Sequence, residues 1–204
     1  MGNFSLLYNA YKSELDQIIS HYNALQSAFK KSKRYERYQK SCQEKLGLPA
    51  FNRKLSVAKI LNPEIILRTF QAYENKVNHQ FRIAKKQLNF NIQPTDKSSK
   101  VLSEPLSTAL AKAELWNKKS QSLAIKASSS VRFNKTSGFY IGRYLLDLKV
   151  YDGKQLIGGK QHGIKGASLQ NNAATQTQAV KKFTQLIEKE GLWNVLGLQE
   201  VSCK

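Results

Sequence analysis

Few side chains in this chain are of types that do chemistry. Histidine occurs at His21, His79 and His162, and cysteine at Cys42 and Cys203. A protein-bound metal needs three or four such ligands at close quarters. His21 and His79 fall in two separate helical stretches, and no third ligand stands at metal spacing beside either. The expectation is therefore no metal and no cofactor, with both histidines on helix surfaces. Acids are scarce too, 14 Asp and Glu in 204 residues. Asp147 and Asp152 flank one turn, but their spacing along a strand sends them to opposite faces. That does not make the facing carboxylates of acid–base hydrolysis. Basic neighbours would lower the thiol pKa of Cys42, but the residue reads as a buried structural thiol. No catalytic residue is assigned, and the chain reads as a non-enzyme.

Two basic constellations remain. The first is the run Lys30, Lys31, Lys33, Arg34, Tyr35, Arg37, Tyr38 and Lys40. Its cations suit phosphates or carboxylates, and its tyrosines suit base stacking or packing on a neighbouring helix. The second is Gly158-Gly159-Lys160-Gln161-His162-Gly163-Ile164-Lys165-Gly166. Glycine-rich basic loops present backbone amides to phosphate. This run lacks both the phosphate-loop spacing and the dinucleotide fingerprint. It reads better as a bent edge strand whose glycines permit a bulge, with Lys160, His162 and Lys165 as a second basic site.

Both constellations sit in a chain with 33 Lys and Arg and a formal charge of +19. A small soluble domain usually carries a net charge of about 2–8. The excess is shared, with net +10 over residues 1–87 and +9 over 88–204. Such a field attracts an anionic macromolecule: an acidic protein, a nucleic acid or an anionic envelope polymer.

The elements that position these residues change character midway. Tyr11, Leu15, Ile18, Tyr22, Leu25 and Phe29 form a heptad stripe, whose phase slips as the basic run begins. Gly47 and Pro49 should end that helix. Asn62-Pro63-Glu64 has the form of a helix start, and Ile66, Phe70, Tyr73, Val77, Phe81 and Ala84 continue as a second stripe. Two striped helices predict an antiparallel hairpin over 1–87, able to pair within one chain or between two. From residue 88 the period shortens. Leu88 to Ile92 reads as a strand, Gln93 to Lys100 as a polar loop, and Ser103 to about Leu115 as a helix. Residues 123–133, 139–151 and 155–165 read as strands joined by a turn over Asn134–Gly138 and a tight turn at Asp152-Gly153. A last helix follows Ser168, with Ala174, Val180, Phe183 and Ile187 buried. The fold class is α+β: a helical hairpin, then a β-α-β-β-β-α domain over 88–204 with an antiparallel meander.

A disulfide between Cys42 and Cys203 is permitted by this layout but not required. No apolar run is long enough to span a bilayer. Met1-Gly2-Asn3-Phe4-Ser5-Leu6 does not read as a signal peptide. Localisation stays open: periplasmic or envelope if a leader was removed, otherwise cytoplasmic.

Two families share features with the second half. Tyr144-Leu145-Leu146-Asp147-Leu148-Lys149-Val150 and the Gly-rich turn before Ser168 resemble the double-stranded-RNA-binding domain. That family opens its final helix with a Lys-Lys pair on phosphate, where this chain has Leu169-Gln170-Asn171-Asn172. Ser130-Val131-Arg132-Phe133, Thr136 to Tyr140, Asp147 to Gly153, and Gly166-Ala167-Ser168 before Ala173, Ala174 and Ala179 resemble small α/β domains of bacterial envelope proteins. These include outer-membrane lipoproteins and flagellar-ring accessory factors. The resemblance covers residues 88–195 and implies assembly and protein contact rather than catalysis. The sequence reading is thus a non-enzymatic envelope-type interaction module with a cationic surface. The alternative is a nucleic-acid-binding protein using the Tyr-interleaved basic helix.

Overall fold

The computed structural model describes residues 2–65, 67–116, 123–199 and 203. The chain divides into two compact units, 1–87 with 201–204, and 88–200.

The described residues of the first unit form three helices: α1 (Gly2–Lys31), α2 (Arg34–Leu61) and α3 (Arg68–Gln87). The long-range bonds run Lys54 to Glu14, Lys40 to Ser32 and Asn52 to Glu74, so successive helices are antiparallel. The expected hairpin is thus a three-helix arrangement. Its first break falls at Ser32-Lys33, where the stripe loses phase, and Lys33 is extended with φ −69° and ψ 164°. Gly47 and Pro49 do not end α2, which runs through both. An interior proline forfeits one backbone hydrogen bond. Burial of Leu48, Phe51 and Ala58 around it outweighs that cost. Asn62-Pro63-Glu64 is a turn rather than a helix start. The Asn62 side chain accepts from the Glu64 N–H, and α3 begins only at Arg68. Ile66, expected in the second stripe, lies outside the described residues.

The core of this unit is aromatic. Phe51 lies 4.6 Å from Tyr73 and 6.2 Å from Phe70 between ring centroids, and Tyr22 meets Tyr73 edge-on at 5.2 Å. Both stripes therefore supply the core, as their spacing predicts. Cys42 and Cys203 are disulfide-bonded, with Cα atoms 5.8 Å apart.

The second unit is a four-stranded sheet in the order β1 (Phe90–Pro94), β2 (Leu123–Thr136), β3 (Phe139–Asp152), β4 (Gln155–Ser168). β1 runs parallel to β2, and β2–β3–β4 is the expected antiparallel meander. The stretch read as a polar loop contains a helix, α4 (Lys97–Leu102), followed by α5 (Glu104–Lys112), α6 (Asn172–Glu190) and α7 (Leu192–Val195). Asn171, not Ser168, caps α6, accepting from the Ala174 N–H.

One sheet face is packed. Leu123, Ile125, Leu146, Leu148 and Val150 are fully buried there, with Ala179 and Phe183 of α6. The glycines of β3 and β4 let α6 come close. Gly142 and Gly166 are cross-strand partners, and a Cβ on either would strike Thr175 at the start of α6. The Thr175 hydroxyl donates to the Asn172 carbonyl and lies 2.7 Å from the Tyr144 hydroxyl. Where β1 ends, Asp96 takes over. Its carboxylate accepts from the Ser99 N–H at 2.7 Å to cap α4, and from the Ser129 N–H and hydroxyl at 2.9 and 2.8 Å on β2. Burial opposes the charge, but these hydrogen bonds prevail and hold the Asp96 carboxyl well below its ordinary value.

A candidate anion-docking face on the sheet

The opposite sheet face is set by strand registry. Residues directly opposite across antiparallel strands project to the same side. Arg132 pairs with Arg143, and Arg143 with Lys165. Three cations from three strands thus stand in one row, spaced ~4.8 Å strand to strand and spanning about 10 Å. All three are exposed. None of the three side chains has a hydrogen bond or ion pair with any described residue. Like charges directly opposite one another are destabilising, so the row is a local cost that packing does not explain.

The neighbouring rows shape the surface. On one side stand Ser130, Leu145 and Gly163, and on the other Asn134, Ile141 and Ala167. Leu145 is 43% exposed. A Cβ on Gly163 would meet nothing within 4 Å, so glycine leaves a notch beside Leu145. Ser130, Arg132, Arg143, Leu145, Gly163 and Lys165 line a cleft of about 390 Å³.

Several other cations are engaged. On the same face, Lys149 lies 3.4 Å from Asp147, and Lys126 sits over the Tyr151 ring at 5.0 Å. Lys135 covers Tyr140 at 4.9 Å and Lys45 covers Phe81 at 4.2 Å.

The basic run from Lys30 to Lys40 turns a corner instead of forming one helical face. The Lys30 side chain lies outside the described residues. Lys31 and Lys33 are exposed, and Arg34 is half-buried. Tyr35 and Tyr38 are 7% and 5% exposed, which leaves no ring face for a base. Tyr38 packs on Phe81 at 5.9 Å, and burial pushes the Tyr35 hydroxyl up to about 12. Arg37 works inside the fold. Its guanidinium donates to the Phe29 and Ser32 carbonyls at 3.1 and 2.9 Å, and to the Gln87 side chain at 3.1 Å. It thereby caps the C-terminal carbonyls of α1, where a cation is favoured. Lys40 binds the Ser32 hydroxyl and Glu36.

Lys160, His162 and Lys165 do not come together. Lys160 pairs with Glu190 at 2.8 Å and with Asn194 at 3.1 Å. His162 is 4% exposed, against Phe183, and its Nε2–H donates to the Val195 carbonyl at 2.8 Å. Burial, and then Lys160, hold its pKa below the ordinary value, so it is a neutral core residue. Lys165 alone faces outward, into the cationic row. Among the described residues no cluster of three His, Cys, Asp or Glu could hold a metal. No helix of the described residues is long and apolar enough to cross a membrane.

Sequence reasoning missed Arg132 and Arg143. The two tight turns carry the signal. Counting back from Ser137-Gly138 sets Arg132 opposite Arg143.

Solved structures that align with part of this chain include three bacterial proteins. A minor lipoprotein of Acinetobacter baumannii aligns at 11% identity and TM-score 0.45, covering 56% of this chain and 97% of that one. A putative lipoprotein of Caulobacter crescentus aligns at 15% identity and TM-score 0.38, covering 52% and 87%. A Xanthomonas campestris protein described by the family model DUF330 aligns at 13% and TM-score 0.36, covering 57% and 78%. No family model matches the chain, and no curated protein does.

Proposed function

We propose that the protein is a non-enzymatic binding and assembly module of bacterial envelope type, which docks an anionic partner on the open face of its sheet. The observation that carries this reading is the in-register row Arg132, Arg143 and Lys165, exposed and without a counter-ion among the described residues. Retaining three opposed cations costs stability, and binding an anion offsets that cost. The Cys42–Cys203 disulfide supports an oxidising compartment, as an envelope role requires. The alternative, nucleic-acid binding through the Lys30–Lys40 helix, loses its stacking platform because Tyr35 and Tyr38 are buried.

Binding of purified protein to polyglutamate and to mixed-sequence DNA, titrated against salt, tests the reading. The expected result is polyglutamate affinity that falls steeply as salt rises. Absence of binding to either polymer at low salt overturns it. DNA binding far tighter than polyglutamate would favour the alternative.

A further inference from the structure

The geometry points to a specific kind of occupant for the open face: an acidic protein segment with interspersed apolar residues, its carboxylates on Arg132, Arg143 and Lys165 and its apolar side chains on Leu145 and in the Gly163 notch. This rests on reading the protein as an anion-docking module, and adds the class of anion and what accompanies it.

Three observations select this partner. First, guanidinium groups donate bidentately to carboxylates, and the row sets two of them side by side on neighbouring strands. Carboxylates on one face of a peptide lie about 5–7 Å apart, whether in a helix or a strand. That spacing is within the reach of long side chains on strands ~4.8 Å apart. Second, the row is bracketed by apolar residues, Leu145 on one side and Ile141 on the other, two residues along the strand. A sugar-phosphate backbone has nothing to place there. No aromatic ring stands in the three central rows to stack a base: these hold Ser130, Leu145 and Gly163, then the cations, then Asn134, Ile141 and Ala167. Third, a second copy of this chain is disfavoured, because a two-fold contact would set the cationic row against itself.

The notch separates this inference from general charge attraction. Gly163→Leu fills it without altering any charge, and its Cβ has open space to enter. Leu145→Ser removes the apolar shoulder, again at constant charge.

The probe is a dye-labelled synthetic peptide repeating Glu-Glu-Leu-Leu, which puts both residue types on each face of a strand, read by fluorescence anisotropy at low salt. A Gln-Gln-Leu-Leu peptide and oligothymidylate serve as comparisons. Arg132→Gln, Arg143→Gln and Lys165→Gln should each weaken Glu-Leu binding about five- to tenfold. Gly163→Leu and Leu145→Ser should weaken it by about tenfold while staying folded, Gly163→Leu melting no lower than the parent chain. The triple change Lys181→Gln, Lys182→Gln and Lys189→Gln on the exposed side of α6 removes three charges elsewhere, as many as the whole row carries, and should leave binding unaltered. Salt-sensitive peptide binding that weakens in the row variants but ignores the notch variants would overturn this assignment and leave the anion-docking reading standing, whereas binding that ignores both sets would overturn both. Oligothymidylate that binds through the same residues more tightly than the peptide would overturn the partner class. Failure of all three probes to bind would remove both.

Discussion

Gly166→Ala and Gly163→Ala differ by three positions on one strand, and the fold predicts opposite outcomes. Neither glycine has a positive φ, so alanine fits the backbone at both. At each, a methyl reduces unfolded-chain freedom and stabilises by about 0.5–1 kcal/mol. At Gly163 nothing lies within 4 Å of the new Cβ, so that gain stands alone. At Gly166 the Cβ would overlap the Thr175 carbonyl oxygen and lie 2.8 Å from its carbon. These are backbone atoms, so relief requires the first turn of α6 to retreat from the sheet. The retreat stretches the 2.7 Å contact between Tyr144 and Thr175 and loosens packing over Leu146 and Phe183. Overpacking costs about 1–3 kcal/mol, and a lost buried hydrogen bond about 1 kcal/mol. Net of the entropic gain, Gly166→Ala should destabilise by about 2–3 kcal/mol. For a domain of roughly a hundred residues, at about 4 °C or more per kcal/mol, Tm falls by around 8–12 °C. Gly163→Ala should raise Tm by about 2–4 °C. Calorimetry of the full chain with each substitution measures both. A Gly166→Ala melting curve indistinguishable from that of Gly163→Ala would refute the close approach of α6, and with it the assignment of sheet faces.

Arg37→Ala should destabilise the helical unit by about 1–2 kcal/mol, because three acceptors around the α1–α2 corner lose one donor. Lys31→Ala, exposed beside it, should be near neutral in the same urea titration. Asp96→Ala removes the α4 cap and two bonds to Ser129, and should cost about 2–4 kcal/mol. The depressed Asp96 pKa contributes stability that is present above the ordinary value of 3.8 and is lost as pH falls through the folded value. The parent should therefore weaken more than Asp96→Ala on acidification below 3.8. His162 acts higher in pH. Its folded pKa is lowered, so stability is complete above 6.5 and declines as pH drops through 6.5 towards the folded value. His162→Gln should flatten that part of the urea-midpoint profile. Reduction of Cys42–Cys203 should destabilise by at most about 5 kcal/mol, the chain-entropy bound for so long a loop. A smaller loss is expected where the intervening unit stays folded and shortens the effective loop.

Much of this arrangement is local chemistry and was legible in the chain. Stripes at steps of three and four made helices of residues 11–29 and 70–84, because a helix returns to the same face at that interval. Alternation made strands of residues 123–133 and 139–151, and Asp152-Gly153 fixed a tight turn between β3 and β4. The charge excess needed no structure. Other features were decided by packing at a distance. α2 continues through Pro49 because Leu48 and Phe51 are buried on either side of it, a gain no window of sequence displays. Tyr35 and Tyr38 look like stacking residues until α3 sets Phe81 against Tyr38. The candidate site turns on one residue. Between Val150 and Tyr151 the β4 partner jumps from Gly158 to Leu156, so Ile157 is bulged out of register. A strand alternates faces at every residue, so one inserted residue inverts every side chain beyond it. Without the bulge, His162 would face solvent and Lys165 would point at α6. With it, the imidazole is buried against Val195 and Phe183, Gly166 meets Thr175, and Lys165 completes the row with Arg132 and Arg143. Composition determined that the molecule is cationic. Only the tertiary register decided which cations stand together, because a bulge is selected by what the far side of the sheet must pack against.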